Sequence, residues 1–253
     1  MLTIMGWNIN QRSNHSGKDK IPDFILKAIE EQKADIIVLT EFFKAKGYEE
    51  FISKLENFGY RASLDPREPE KNKNQIMIAV SEKLDISNGV NIKTLPNDIE
   101  SNYPNFLQIT VKYKGKPLTI IGTRMRDMEK ASQFKELNDH IVNIPKEHKI
   151  ICIGDFNAFH KFCVDHLPFS NEEISPNWCQ HQEEYSYVHK NGDKVQIDHI
   201  AVKGITVSNE NNEKYYNWNF IDKDNGYCDL KQQDYKSFKE SLPDHAILFA
   251  NLD

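Results

Sequence analysis

The stretch Ile150-Ile151-Cys152-Ile153-Gly154-Asp155-Phe156-Asn157-Ala158 decides the reading of this chain. An apolar run of strand type ends at a glycine turn, which presents a carboxylate and a carboxamide two residues apart. Alone, Asp155 and Asn157 could simply form an Asx-type turn after a strand. Two later segments repeat the design, Val195-Gln196-Ile197-Asp198-His199-Ile200 and Ser241-Leu242-Pro243-Asp244-His245-Ala246, each placing Asp-His beside an apolar run. Two earlier ones complete the set, Trp7-Asn8-Ile9-Asn10 and Val38-Leu39-Thr40-Glu41. Polar groups recurring at five strand ends are more than packing requires.

Outward from these motifs the periodicity alternates between strand and helix. Met1 to Asn8 reads as a buried strand, and Ile21 to Gln32 as a helix with Ile21, Phe24, Ile25, Ala28 and Ile29 on one face. Strands are expected at Ala34–Thr40, Ile76–Val80, Phe106–Tyr113, Lys116–Thr123 and Lys149–Ile153, with a hairpin turn at Lys114-Gly115-Lys116. Further helices are expected at Glu49–Phe58 and Ala131–Val142. Beyond Asp155 the pattern predicts loops and short strands at Tyr185–Val188, Val195–Val202 and Ala246–Leu252. Many strands are apolar on both faces, which predicts sheets covered on both sides. Two packed mixed sheets with helices outside, an α/β four-layer sandwich, fits this pattern. No linker, composition break or repeat divides residues 1–253, so one domain is expected.

Composition narrows the classes. Of 253 residues, 39% are hydrophobic and 28% charged, as in a globular chain with a full core rather than a disordered one. A net charge of −6 excludes a global positive field that would hold the protein on nucleic acid, but not catalysis upon it. Met1-Leu2-Thr3-Ile4 enters a strand with no basic, then apolar, leader pattern, and no window is long enough to span a membrane. Four cysteines suggest no disulfide framework, and Cys152 reads as a small core residue. A cytoplasmic monomer is expected.

The chemistry follows from the residue types. Glu41, Asp155, Asp198 and Asp244 are carboxylates, Asn8 and Asn157 carboxamides, and His245 is one histidine among them. Hard oxygen ligands suit Mg²⁺ or Mn²⁺ better than zinc. Hydrolysis of a phosphate ester needs a metal for the non-bridging oxygens, a base for water and a donor for developing charge. This inventory contains all three.

On these residues the chain resembles the endonuclease/exonuclease/phosphatase superfamily, with its deoxyribonuclease I-like fold. The motifs that carry the resemblance are Trp7-Asn8-Ile9-Asn10, Thr40-Glu41, Gly154-Asp155-Phe156-Asn157, Ile197-Asp198-His199 and Pro243-Asp244-His245, in the family's order and over nearly the whole chain. The resemblance implies that Glu41 is the principal metal ligand, with Asn8 and Asp244 completing or supporting the site. It implies that Asp155 orients or deprotonates the attacking water and that Asn157 holds a phosphate oxygen. His245 would stabilise the phosphate, with Asp198 fixing its tautomer and charge. One departure stands out. Many members carry a histidine near the end of a central strand, whereas the matching segment here, Ile120-Ile121-Gly122-Thr123-Arg124-Met125-Arg126, offers Arg124. A guanidinium can clamp phosphate bidentately but is a poor proton donor. Asn74 stands roughly where a glutamate can hold that histidine, consistent with an arginine that needs no carboxylate to set its charge.

Other features admit two readings. Arg126 lies on the same strand face as Arg124 by alternation and is either a substrate contact or a solvated residue. His160, Cys163, His166, Cys179 and His181 have a ligand count suited to zinc, but their spacing matches no standard finger, and a polar loop is the simpler account. Tyr215, Tyr216, Trp218 and Phe220 could stack on a nucleobase, although burial against a sheet edge suits large aromatics better. Lys71 and Lys73 could guide a phosphate backbone, or belong to a solvated run with Glu68 and Glu70. The function expected is a Mg²⁺-dependent phosphodiester hydrolase, a nuclease on DNA or RNA, with nucleic acid as the binding partner. The alternatives are a phosphomonoesterase or an inositol phosphate or phospholipid phosphodiesterase on the same fold, and a catalytically silent protein-binding module.

Overall fold

Ile150 and Cys152 are buried in one apolar cluster, and Ile151 and Ile153 in another. Strand alternation sends neighbouring side chains to opposite faces, so this segment is a central strand with a core on each side. A computed structural model describes residues 1–11, 21, 23–64, 74–84, 91–94, 106–126, 131–167, 177–178, 185–189, 193–208, 215–218 and 244–253.

One sheet contains β1 (Leu2–Asn8), β2 (Ile36–Phe42), β3 (Tyr60–Leu64), β4 (Gln75–Ser81), β13 (Val207–Ser208), β14 (Tyr216–Asn217) and β15 (Ile247–Leu252). Its order is β13-β15-β1-β2-β4-β3, with β14 also on β15. The other contains β5 (Asn91–Thr94), β6 (Phe106–Tyr113), β7 (Lys116–Arg124), β8 (Lys149–Asp155), β9 (Asn177–Trp178) and β12 (Asp198–Lys203), ordered β5-β6-β7-β8-β12-β9. A small hairpin, β10 (Tyr187–Val188) with β11 (Lys194–Val195), stands apart. Each large sheet has one parallel pair at its centre, β1 with β2 and β7 with β8; the other pairs are antiparallel.

The inner faces meet in a core that joins Val38, Ile76 and Ile78 of the first sheet to Ile120, Ile151 and Ile153 of the second. Gly122 permits a close approach there, since a Cβ on it would lie 2.7 Å from Ile76 and 2.9 Å from Val38. Helices α1 (Asp23–Gln32) and α2 (Tyr48–Asn57) bury Ile25, Ala28, Ile29, Phe51 and Leu55 in the same cluster. Helix α3 (Ala131–Val142) and helix α4 (His160–His166) cover the second sheet, with Phe134, Leu137, Ile141 and Cys163 against Ile150 and Cys152. These are the four layers the two-faced strands predict.

Most elements fall where periodicity places them, and α3 and β6 match residue for residue. Three differ. Segment His160–His166 is a short helix rather than a loop. Strand β3 was not anticipated, since Arg61, Ala62 and Ser63 dilute its pattern. The expected strand Val195–Val202 breaks at Gln196–Ile197, because the Ser186 hydroxyl oxygen accepts the amide N–H groups of Ile197 and Asp198 at 2.9 and 3.0 Å.

Candidate active site

The parallel pairing of β1 with β2 sets Asn8 beside Thr40 and brings Glu41 to the same edge. That of β7 with β8 sets Arg124 beside Asp155. Asp198 and His245 arrive from the other direction. Asp198 opens β12, which runs antiparallel to β8 and pairs Asp198 with Asp155. Asp244 and His245 precede β15, which runs antiparallel to β1. The five strand ends are thus of both kinds: parallel pairs bring C-terminal ends to this edge, and antiparallel partners deliver strand starts to it.

The turn after β8 depends on Gly154. Its φ is +143°, and a Cβ there would lie 2.1 Å from the Thr123 carbonyl oxygen. The chain then closes an Asx turn, with the Asn157 N–H donating to Asp155 Oδ1 at 2.9 Å. The other oxygen, Oδ2, accepts from Asn8 Nδ2 at 3.0 Å. The bland and the functional readings of this motif thus coexist. Asn157 Nδ2 makes only long contacts, at 3.5 and 3.4 Å, to the carbonyls of Met125 and Arg126. His199, whose ring is fully buried, holds the next residue by a 2.8 Å bond between Nε2 and the Ala158 carbonyl. Burial pulls its pKa down to about 4, so it is a neutral donor that fixes the turn.

Buried Asp198 and His245 are joined by 2.8 Å between Oδ2 and Nδ1. Their backbones are pinned as well. Tyr216 donates its hydroxyl to the Asp198 carbonyl at 2.6 Å, and Trp7 Nε1 donates to that of His245 at 3.1 Å. The hairpin β10–β11 holds the segment through Val188 N–H to the Asp244 carbonyl and Ala246 N–H to the Ser186 carbonyl, and Tyr187 packs its ring 4.6 Å from that of His245. Burial alone would depress the His245 imidazole, but the carboxylates of Asp198, Asp155 and Asp244 raise its pKa to about 10. It is an imidazolium at neutral pH, with a proton on each nitrogen. Asn8 Nδ2 lies 3.3 Å from His245 Nε2, yet both atoms then carry hydrogen and Asn8 is committed to Asp155. Among the described carboxylates, Asp244 Oδ1 comes to 3.9 Å of Nε2, beyond hydrogen-bond reach. The Nε2–H can serve an incoming oxyanion.

Burial is the main cause that raises the Asp155 carboxyl to about 7; Asp198 and Glu41 add to it, while His245 and Arg124 oppose. A carboxylate poised there suits proton transfer near neutrality. Asp244 is also raised, by burial first, and receives a 2.9 Å bond from Asn10 Nδ2. Asn10 in turn donates its backbone N–H to Asn8 Oδ1 at 3.0 Å and adopts φ +41°. No role for Asn10, Ser186 or Tyr187 was read from the sequence, and Tyr216 figured there only in an aromatic cluster, not as a partner of Asp198. The signal available for Asn10 was its place two residues after Asn8.

Glu41 sits at a β-bulge between Leu39 and Phe42 with φ +53°, a left-handed backbone that a non-glycine residue seldom adopts. Arg124 reaches it from the other sheet, donating Nε and Nη2 to the same oxygen, Oε1, at 3.1 and 2.6 Å. Burial works to raise the Glu41 pKa, yet the charge and hydrogen bonds of Arg124 outweigh it and hold the carboxyl below its ordinary value. Arg124, although it needs no carboxylate to set its charge, does have a carboxylate partner, and it is Glu41 rather than a group near position 74. Strand β7 ends at Arg124, so the alternation that would align Arg126 with it stops there.

Two sets could hold a cation. Asp155, Asp198 and His245 bring one ligand atom each within 4.8 Å of one another. Glu41 and Asp244, close enough for their charges to interact, offer a second, hard-oxygen pair of carboxylates near Asn8, and a cation, the Arg124 guanidinium, already rests on Glu41. Zinc finds less support in α4. Cys163 Sγ is buried near the Ala158 carbonyl, and His166 bonds within its own helix to the Phe162 carbonyl. Among the described residues the only metal-type cluster is Asp155, Asp198 and His245. Cys179 and His181 lie outside the described residues, as do Phe220, Lys71, Lys73, Glu68 and Glu70. Tyr216 and Trp218 are buried, and Trp218 donates to the Tyr185 carbonyl, so these aromatics pack.

No family sequence model matches the chain, and no curated protein matches it significantly in sequence. Solved structures do. D. rerio TDP2 complexed with a single-strand DNA product superposes with a TM-score of 0.63 at 13% identity, covering 100% of this chain and 98% of that one. The human Nocturnin catalytic domain with bound sulfate gives 0.62 at 16% identity, covering 100% and 94%. ANGEL2, a 2′,3′-cyclic phosphatase in complex with adenosine-2′,3′-vanadate, gives 0.61 at 13%, covering 99% and 95%. The chain has the deoxyribonuclease I-like fold that these proteins share. No helix among the described residues is long and apolar enough to cross a membrane.

Proposed function

We propose that this chain is a Mg²⁺-dependent phosphodiester hydrolase, with Mn²⁺ as a substitute, and that its substrate is nucleic acid. The observation that carries the reading is the convergence of all five motifs on one edge. There a carboxylate with a pKa of about 7, held by Asn8, lies beside a buried imidazolium. A proton acceptor and an anion donor held side by side are what hydrolysis of a phosphate ester requires. The structural relatives support the substrate class, since two are complexed with a DNA product and an adenosine derivative.

In this reading Asp155 takes a proton from the attacking water. Asn8 and Asn157 N–H hold its two oxygens, so the carboxylate cannot turn away. His245 donates from Nε2 to a phosphate oxygen, with Asp198 fixing the ring through Nδ1. Asn157 directs Nδ2, which makes only long contacts to carbonyls, to a second phosphate oxygen. Glu41 and Asp244, with Asn8 beside them, would hold the divalent cation, which when bound supplies Lewis-acid neutralisation of the non-bridging oxygens. This set suits Mg²⁺ better than the Asp155–Asp198–His245 cluster, because an imidazolium cannot ligate a metal. The residues act within one catalytic domain spanning 1–253. The buried free thiols Cys152 and Cys163 are consistent with a cytoplasmic setting.

A panel of single- and double-stranded DNA, RNA, nucleotides and inositol phosphates, with and without Mg²⁺, tests the proposal. Cleavage of a nucleic acid only with the metal is expected. Turnover of phosphomonoesters alone, with every nucleic acid intact, would sink the nuclease reading. No turnover of any substrate would favour a binding module.

A further inference from the structure

The Arg124–Glu41 pair is built in a way that a surface ion pair is not. It joins the last residue of β7 in one sheet to the bulge of β2 in the other, and both side chains are largely covered, 22% and 14% exposed. Two guanidinium N–H groups converge on a single carboxylate oxygen, Oε1. The negative charge of Glu41 is thereby satisfied without a metal ion.

A divalent cation at Glu41 would compete with the guanidinium for this carboxylate, since two positive charges a few ångströms apart in a covered site repel strongly. Arg124 has somewhere to go. It lies next to Asp155 in register and close enough for its charge to act on that carboxylate, so the space between Glu41 and Asp155 is within its reach. A guanidinium released into that space presents a planar fork to a phosphate.

We infer that Arg124 is the resident counter-cation of the metal site: it neutralises Glu41 while the metal is absent and leaves Glu41 when the metal binds, becoming available to the substrate phosphate. The inference rests on Glu41 being a metal ligand, as proposed above. It makes Arg124 a positioning residue that sets metal affinity as well as a phosphate contact. An arginine that serves merely as a strap between the sheets would have the opposite signature, since cutting the strap would loosen the ligands and weaken metal binding.

The experiment is Mn²⁺ titration calorimetry on chelator-stripped parent, Arg124→Gln and Arg124→Lys, with a crystal structure of the parent grown in Mn²⁺. Competition predicts that Arg124→Gln binds Mn²⁺ about tenfold more tightly than the parent, with Arg124→Lys between them, because the metal no longer displaces a bound charge. In the Mn²⁺ crystal Arg124 should stand off Glu41 Oε1. Equal or weaker binding by Arg124→Gln overturns the competition alone. A bound ion with Arg124 still forked on Oε1 does the same, and needs no variant to fold. Failure of every form to bind Mn²⁺ removes the metal reading as well.

Discussion

Replacing Asp198 by asparagine removes one charge from a buried pair and leaves the shape nearly unchanged. The structure sets the size of the effect. His245 is 5% exposed and Asp198 3%, and the contact is 2.8 Å. The gap between the ordinary 6.5 and about 10, at about 1.4 kcal/mol per pH unit, puts the stabilisation of the imidazolium at an order of 4–5 kcal/mol. Asp198 is the largest favourable contributor, so its loss should cost on the order of 3 kcal/mol of unfolding free energy near neutrality. The sign is fixed by the raised pKa. The pair's stabilisation is fully present below pH 6.5 and fades as pH rises through about 10, so the penalty of Asp198→Asn should shrink across that window. Urea unfolding of metal-free parent and variant at pH 6.5 and pH 10 measures it, and ¹⁵N NMR of the imidazole follows the proton directly. Turnover on a cleaved substrate should fall roughly 100-fold with KM little moved. A penalty independent of pH, or a His245 that keeps its proton in the variant as tightly as in the parent, would refute the account of this pair.

Three further outcomes are expected. Asp155→Asn should lower kcat about 1,000-fold with substrate binding retained, and near-normal kcat would remove Asp155 from the mechanism. Because the folded pKa of Asp155, about 7, lies above the ordinary 3.8, the metal-free fold should lose stability as pH rises from about 4 to 7, and Asp155→Asn should flatten that slope in urea titrations. Glu41→Gln should weaken Mn²⁺ binding about tenfold or more by calorimetry, whereas unchanged affinity would place the metal elsewhere. Gly154→Ala meets the Thr123 carbonyl and a left-handed φ at once, so it should cost about 3 kcal/mol or more; a variant that melts with the parent would refute that steric reading.

Layers and strands were legible because their signal is periodic and local. Ile150 to Ile153 alternate between two cores, and Phe134, Leu137 and Ile141 share one helix stripe. The break before Asp198 was not legible, since it depends on a hydroxyl contributed by Ser186 from another segment. Helix α4 was hidden for another reason. At seven residues with Cys163 alone buried, it is too short to show an apolar stripe at helical spacing. Motif order identified residues that the fold brings together, but not the direction of approach. Asp198 opens its strand and His245 precedes its own, and only the antiparallel pairing of β12 with β8 and β15 with β1 explains why they meet Asp155 and Asn8.

Arg124 shows most clearly what a linear reading lacks. Its substitution for a histidine was visible, and the planar fork suggested a phosphate clamp. Its carboxylate partner lies 83 positions away, on the facing sheet, at a backbone angle created by a bulge. None of the three has a local signature. Glu41 keeps its charge under burial chiefly because Arg124 is present, and Arg124, charged in any setting, is covered with its charge balanced by Glu41. Changing either alone should therefore unbalance a covered charge. A double exchange, Arg124→Glu with Glu41→Arg, would keep the pair while reversing its direction. It should recover part of the stability lost in either single variant and none of the Mn²⁺ binding, since the carboxylate would then stand on β7. Calorimetry showing parent-like Mn²⁺ affinity in the exchanged protein would mean that the ion is held without Glu41.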